Sequence, residues 1–139
     1  MKRTLSRVKA MFKLYNYDLT KELLSDDYLD KILIEEELSC DNDFYMQIVN
    51  GVLDNLSKID RVIAISLKNY TLDRLSYVDR NLIRIAAYEM MFTDTPKNII
   101  INEILDISHE YSEIEGLETS KFNNALLDNI AKRLGNGKQ

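Results

Sequence analysis

The sequence contains one proline and four glycines in 139 residues. Apolar residues recur at intervals of three and four along almost the whole chain, which is the spacing of one face of a helix. Together these features predict an all-α protein. The glycines are scattered at Gly51, Gly116, Gly135 and Gly137, so neither a GxGxxG pattern nor a Walker-type phosphate loop can be written.

Cysteine and histidine are equally scarce, because Cys40 and His109 are the sole examples of each. One cysteine excludes a disulfide framework and a thiolate zinc site, and one histidine excludes a histidine-based metal cluster. His109 lies among polar residues in SHEYSE, on a predicted helix, which favours an ordinary exposed side chain over a catalytic one. We therefore expect no enzyme activity, no metal and no cofactor.

Long apolar runs are also missing. No segment approaches the roughly 18 residues of a membrane span, and the chain's start leads into no apolar segment of signal-peptide type. The length suits one domain with its own core, and we find no linker, internal repeat or low-complexity segment. We expect a soluble, cytoplasmic protein with one domain over residues 1–139 and a short flexible tail at about residues 135–139.

The chain does contain a strongly segregated charge. The net charge is -5, yet residues 1–17 contain five basic residues and no acidic one. The other 13 basic residues therefore stand against all 23 acidic residues in the rest of the chain. Segregation of this kind often marks a binding site for a polyanion. The five basic residues are Lys2, Arg3, Arg7, Lys9 and Lys13.

Apolar periodicity predicts seven helices. In the first, Arg3 and Arg7 flank the apolar stripe on one side while Lys9 and Lys13 lie on the other. The predicted ranges are about 3–17, 20–38, 98–113 and 120–134, with three further helices built on the runs FYMQIVNGVLDNL, IDRVIAISL and SYVDRNLIRIAAYEMMF.

The last of those runs predicts a central helix. Ser76 followed by Asp79 resembles a capping box, and from Leu82 onward the helix is apolar on nearly every side. Glu89 falls on its most apolar side, where a carboxylate needs a partner such as Arg80, Arg84 or a residue of a neighbouring helix. We interpret Glu89 and Arg84 as members of internal salt bridges in preference to catalytic or binding groups.

Three segments, in order, resemble the carboxy-terminal half of the NusB transcription antitermination factors: LDRLSYVDRNLIRIAAYEM, NIIINEILDISHEYS and SKFNNALLDNIAKRL. The first helix is similar to that family's arginine-rich start, and FYMQIVNGVLDNLSKID resembles its third helix. The resemblance extends over about residues 2–133.

The resemblance implies a compact all-α fold of seven helices in two small bundles, without catalytic activity. It also implies an antitermination factor that binds the single-stranded boxA element of ribosomal RNA leader transcripts. The implied protein partners are the ribosomal protein NusE and the elongating RNA polymerase with other Nus factors. The basic amino-terminal helix would then be the RNA-facing element, where its charges neutralise phosphates.

Individual site residues follow from the same resemblance. Those implied to contact RNA are Lys2, Arg3, Arg7 and Lys9 on the first helix, and Glu118, Lys121 and Phe122 near the start of the last. Phe122 is suited equally to stacking on a base and to the apolar core. Asp79 matches an acidic position on the face that receives NusE, and as a helix cap it would keep one carboxylate oxygen free.

The chain departs from the family pattern at several positions. Thr4 and Leu5 interrupt the run of arginines, Tyr70 replaces a tryptophan, and FVNGVLD has become FNNALLD, with Asn123 at an apolar position and Ala125 at a glycine. We expect weaker or altered RNA affinity and an intact fold.

Two alternatives to the RNA-binding factor remain. One is a helical interaction module that forms a homodimer or docks another protein without binding RNA itself. The other is a fragment of a ribosomal RNA methyltransferase, whose amino-terminal domain has the same fold. The sequence disfavours the second, since it reaches Gln139 without a glycine-rich cofactor-binding region.

Overall fold

The computed structural model describes residues 2–112 and 117–137, with the side chains at 117, 118, 136 and 137 left out. Within these ranges the chain forms seven α-helices, one short 3₁₀ helix and no strand, so the predicted all-α fold is confirmed. The elements are α1 (Lys2–Thr20), α2 (Asp27–Glu35), α3 (Asn42–Asp54), α4 (Leu56–Ser66), the 3₁₀ helix (Leu72–Arg74), α5 (Tyr77–Phe92), α6 (Lys97–Tyr111) and α7 (Leu117–Gly137).

The helix α5 forms the centre of the fold, as its apolar surface predicts. It packs against α1 and α3 on one hand and against α4, α6 and α7 on the other, so two small bundles share one helix. Ala86 and Ala87 are fully buried there, and their small side chains let neighbouring helices approach closely. Ser76 caps α5, since its Oγ accepts a hydrogen bond from the backbone N–H of Asp79 at 3.1 Å.

The second helix differs from its prediction over residues 20–38. Lys21 has a φ of 62°, which ends α1 one residue earlier, and α2 begins only at Asp27. Glu37, with a φ of 55°, follows its end. Leu23 and Leu24 continue the helical spacing of apolar residues, but they lie in the loop between α1 and α2.

No residue of α2 is buried. The exposed apolar side chains of α2 and its two flanking loops form a surface that we call the α2 patch. Its members are Leu23, Leu24, Tyr28, Ile32, Ile34 and Leu38. None of the described helices is both long enough and apolar enough to cross a membrane.

Candidate nucleic-acid interface

The amino-terminal end of α1 presents two exposed cations, Lys2 and Arg3. The Arg3 side chain is 58% exposed, and its guanidinium lies 4.2 Å from the centroid of the Phe44 ring. Its Nε is 3.9 Å from a carboxylate oxygen of Asp41, too far for a strong hydrogen bond. The ring supports the guanidinium from one side, so its remaining N–H groups can reach a phosphate.

Arg7, one turn further along α1, lies in the interior. Its Nε and Nη2 donate to the two carboxylate oxygens of Glu89 at 2.7 and 2.8 Å, and its Nη1 donates to Glu103 at 3.0 Å. The side chain is 4% exposed and that of Glu89 is fully buried. Burial alone would lower the Arg7 pKa, but the two carboxylates outweigh it and raise the pKa. The predicted internal salt bridge of Glu89 is therefore confirmed, with a partner from a neighbouring helix.

Lys9 and Lys13 point toward α2. The Lys9 Nζ lies 2.6 Å from an Asp30 oxygen and 4.2 Å from the centroid of the Tyr45 ring, and its side chain is buried. Lys13 pairs with Asp26 at 2.9 Å. These two ion pairs attach α2 and the residue before it to α1. Each lysine charge is therefore already paired with a carboxylate of the same chain.

A second part of the candidate site is a cleft of about 300 Å³ between α7 and the segment that leads into α5. The Tyr70 and Phe122 rings form one wall, with centroids 5.0 Å apart and planes inclined by 58°. The exposed Arg74 lies with its guanidinium 4.7 Å from the Tyr70 centroid. Phe122 is half-buried, which lets one side chain close the core and present a face to the cleft. We call this space the aromatic cleft.

Asp79 lies in the lining of the aromatic cleft but is itself buried, at 3% exposure. Its Oδ1 accepts a hydrogen bond from Ser108 at 2.7 Å, and its Oδ2 accepts from Ser76 at 3.1 Å and Ser112 at 2.9 Å. The expectation that the cap leaves one carboxylate oxygen free is therefore wrong for the free chain, because the end of α6 supplies hydroxyl donors.

The remaining predicted residues lie on α7 and α6. Lys121 is exposed on α7, next to Phe122 in the sequence. Glu118 lies in α7, but its side chain falls outside the part of the molecule that is described. His109 is exposed on α6. Among the described residues, no group of three or more His, Cys, Asp or Glu side chains is arranged to hold a metal ion.

Sequence reasoning missed Arg74 and Asn123 as cleft residues. Arg74 lies in a short 3₁₀ helix whose position against α7 has no local signature. Asn123 had one available signal, because it replaces an apolar residue in the segment SKFNNALLD.

The profile described as "NusB family" matches residues 4–132. The chain belongs to the NusB family. It is 36% identical over 135 residues to the transcription antitermination protein NusB of Bacillus cereus (strain B4264), a match that covers 96% of this chain and 100% of that protein.

Solved structures of the NusB family agree with this assignment. The structure of T. maritima NusB has a TM-score of 0.76 and 32% identity, and the match covers 95% of this chain and 92% of that one. A complex of the antitermination factors NusB and NusE with double-stranded RNA has a TM-score of 0.74 and 25% identity, covering 94% of this chain and 96% of that one.

Proposed function

We propose that this chain is a transcription antitermination factor that binds boxA-type single-stranded RNA of ribosomal RNA leader transcripts together with the ribosomal protein NusE. The observation that carries the proposal is the aromatic cleft, where the Tyr70 and Phe122 rings lie beside the guanidinium of Arg74. Aromatic faces next to cations are how proteins hold unpaired nucleotides. Membership of the NusB family supports the same function.

The proposed RNA surface combines two regions. Lys2 and Arg3 bind phosphates at the amino end of α1, while Lys121 binds phosphate and Phe122 stacks on a base at the aromatic cleft. Glu118 completes the set by its position near the start of α7.

Arg7 and Lys9 act differently within this proposal. Their charges are already paired with carboxylates of other helices, so we assign them a positioning role that fixes α1 and the exposed pair at its amino end. An RNA contact by either would first require an internal ion pair to open, at a cost of several kcal/mol for a buried one.

The proposed protein partners are NusE and, through the complex, the elongating RNA polymerase with other Nus factors. Asp79 stands where the family resemblance assigns NusE contact, and its hydrogen bonds tie the start of α5 to the end of α6. We propose that it holds this docking face in shape. Such a factor acts in the cytoplasm and needs no catalytic group or cofactor.

Size-exclusion chromatography with light scattering tests the proposal directly. The full chain is measured alone, with NusE, with a boxA-like RNA and with both. We expect a complex containing one copy of each component. Absence of RNA from every complex would contradict the proposed function.

The α2 patch favours a second candidate, a protein-interaction module that self-associates. Tyr28 and Ile34 are 73% and 75% exposed, and isolated monomers rarely leave so many neighbouring apolar side chains uncovered. In the same chromatography this candidate predicts a dimer that takes up no RNA. Replacing Tyr28 and Ile34 by serine would then return the protein to a monomer.

A further inference from the structure

Asn123 has an unsatisfied hydrogen-bond acceptor in the lining of the aromatic cleft. The residue is 2% exposed, and its Nδ2 donates to the Ser108 Oγ at 3.3 Å. Its Oδ1 is buried and accepts no hydrogen bond from any residue in the described ranges. An amide oxygen removed from water without a donor carries a free-energy penalty, so such an atom calls for an explanation.

The orientation of this amide is fixed by its neighbours. The Ser108 hydroxyl has one hydrogen, which it donates to the Asp79 Oδ1 at 2.7 Å. The Ser108 oxygen can therefore only accept, so the amide must turn its NH₂ group toward Ser108. Rotating the amide by 180° would place two acceptors against each other. Asn123 thus donates to Ser108, and Ser108 donates to Asp79. This arrangement leaves the Asn123 Oδ1 without a donor.

The position of Asn123 beside Phe122 suggests what supplies the missing donor. Both residues line the cleft of about 300 Å³, which has room for one nucleobase. A base stacked on the Phe122 ring would present its edge to the cleft lining, to which Asn123 belongs. The cleft interior also contains the Asp79 carboxylate, which repels carbonyl oxygens and favours N–H groups.

We propose that Asn123 is a specificity-determining residue whose Oδ1 accepts a hydrogen bond from the exocyclic amino group of one adenine, cytosine or guanine held against Phe122. The inference rests on the proposed RNA-binding function and adds the identity of the base edge that is read. Uracil fits less well, because carbonyl oxygens flank its one N–H on both sides. Asp79 and Ser108 are positioning residues, since they act by orienting the Asn123 amide.

The experiment uses the full chain and fluorescein-labelled, boxA-like RNA of about 12 nucleotides, a length suited to a single-strand site. Each adenosine is replaced in turn by purine riboside, each cytidine by 2-pyrimidinone riboside and each guanosine by inosine, so that only an amino group is removed. With the unmodified protein, we expect one position at which Kd rises about tenfold, the effect of one buried hydrogen bond.

The same RNA pair is then measured with Asn123→Val. We expect the unmodified RNA to bind about tenfold more weakly and the loss of the amino group to have no further effect, since its acceptor is gone. Asn124→Val is the matched control, because it makes the same change at the next residue, which is exposed. That variant should retain the full sensitivity to the amino group.

The outcomes separate this inference from the proposed function. If RNA binds but the amino-group effect is equal in Asn123→Val, or is absent at every position, the role of Asn123 is refuted while RNA binding stands. If no RNA binds, both fail. Should Asn123→Val not fold, Asn123→Ala provides the same comparison with a smaller side chain that also has no acceptor, and thermal melting verifies folding in each case.

Discussion

Arg7 of α1 and Glu89 of α5 form a buried ion pair through two parallel hydrogen bonds of 2.7 and 2.8 Å. Glu89 is fully buried, and Arg7 also reaches Glu103 of α6, so one guanidinium joins three helices. The basic start of the chain thus has two roles. Its first residues face solvent, and the residues that follow hold the fold together.

Loss of one partner of this pair should destabilise the protein strongly. Arg7→Ala leaves Glu89 buried without its counter-charge, and we expect the free energy of unfolding to fall by about 3–5 kcal/mol. Arg7→Met combined with Glu89→Met removes both charges and should cost less than Arg7→Ala alone. Urea denaturation measures each value. Arg3→Ala is the control on the same helix, and a similar loss in both arginine variants would contradict the distinction between them.

The exposed pair at the start of α1 should determine part of the salt dependence of RNA binding. For Lys2→Ala with Arg3→Ala, we expect the log–log slope of affinity against salt to become shallower by about 0.7 for each phosphate that the variant no longer neutralises. Fluorescence anisotropy with boxA-like RNA at several salt concentrations gives the slope. Arg7 is left unchanged in this experiment, because its loss should destabilise the fold and a weaker affinity could then result from unfolding.

A matched control carries the same change of net charge elsewhere. Lys31→Ala with Arg61→Ala removes two exposed cations from α2 and α4. This control should leave the slope nearly unchanged, because long-range effects of exposed charges are screened by salt. If both double variants flatten the slope equally, RNA binding depends on overall charge and not on the amino end of α1.

Close packing of α3 on α5 should forbid a side chain at Gly51. A Cβ built there would lie 2.8 Å from the Tyr88 hydroxyl oxygen and closer still to two carbons of that ring. Alanine normally stabilises a helix interior relative to glycine by about 0.5–1 kcal/mol, but here we expect Gly51→Ala to cost about 1–3 kcal/mol. Thermal or urea unfolding measures the difference.

Two variants test that explanation. Gly135→Ala on α7 is the control, because its Cβ would be 3.7 Å from the nearest atom, the Lys97 Nζ, and it should be neutral or stabilising. In a Tyr88→Leu background the ring is absent, so Gly51→Ala should no longer destabilise. If the cost persists there, the ring is not its cause.

Periodicity was sufficient to predict the fold because most helices bury one continuous apolar face. It failed at residues 21–26, since the apolar residues at 23 and 24 continue the spacing of α2 while the backbone at Lys21 has already left the helix. Local spacing records which side chains are apolar. It does not show which of those side chains pack against another helix.

The site was less predictable than the fold for a related reason. Helical projection places Arg3 and Arg7 on the same flank of α1, and their different roles depend on Glu89 and Glu103, which tertiary packing brings to one of them. The unsatisfied oxygen of Asn123 likewise depends on a hydroxyl of α6 that is oriented by Asp79. Neither relationship involves residues that are close in the sequence.

The attachment of α2 should weaken in acid. Burial alone would raise the Asp26 pKa, but hydrogen bonds from Lys13 and Tyr45 outweigh it and hold the pKa below its ordinary value. A carboxyl group with a lowered pKa contributes stability above its unfolded-state pKa of about 4, and that contribution is lost as pH falls through the lower folded value. The attachment of α2 should therefore hold at neutral pH and fail first at low pH.

Hydrogen exchange of α2 amides, compared between wild type and Asp26→Asn at each pH, isolates this effect because intrinsic exchange rates cancel. We expect faster exchange of Asp27–Glu35 in the variant at about pH 5–7, and convergence of the two proteins only when the pH falls below the lowered folded-state pKa of Asp26. Amides of α5 serve as the internal control and should exchange equally in both proteins. Equal exchange of the α2 amides in both proteins at about pH 5–7 would mean that Asp26 does not hold α2 through its charge.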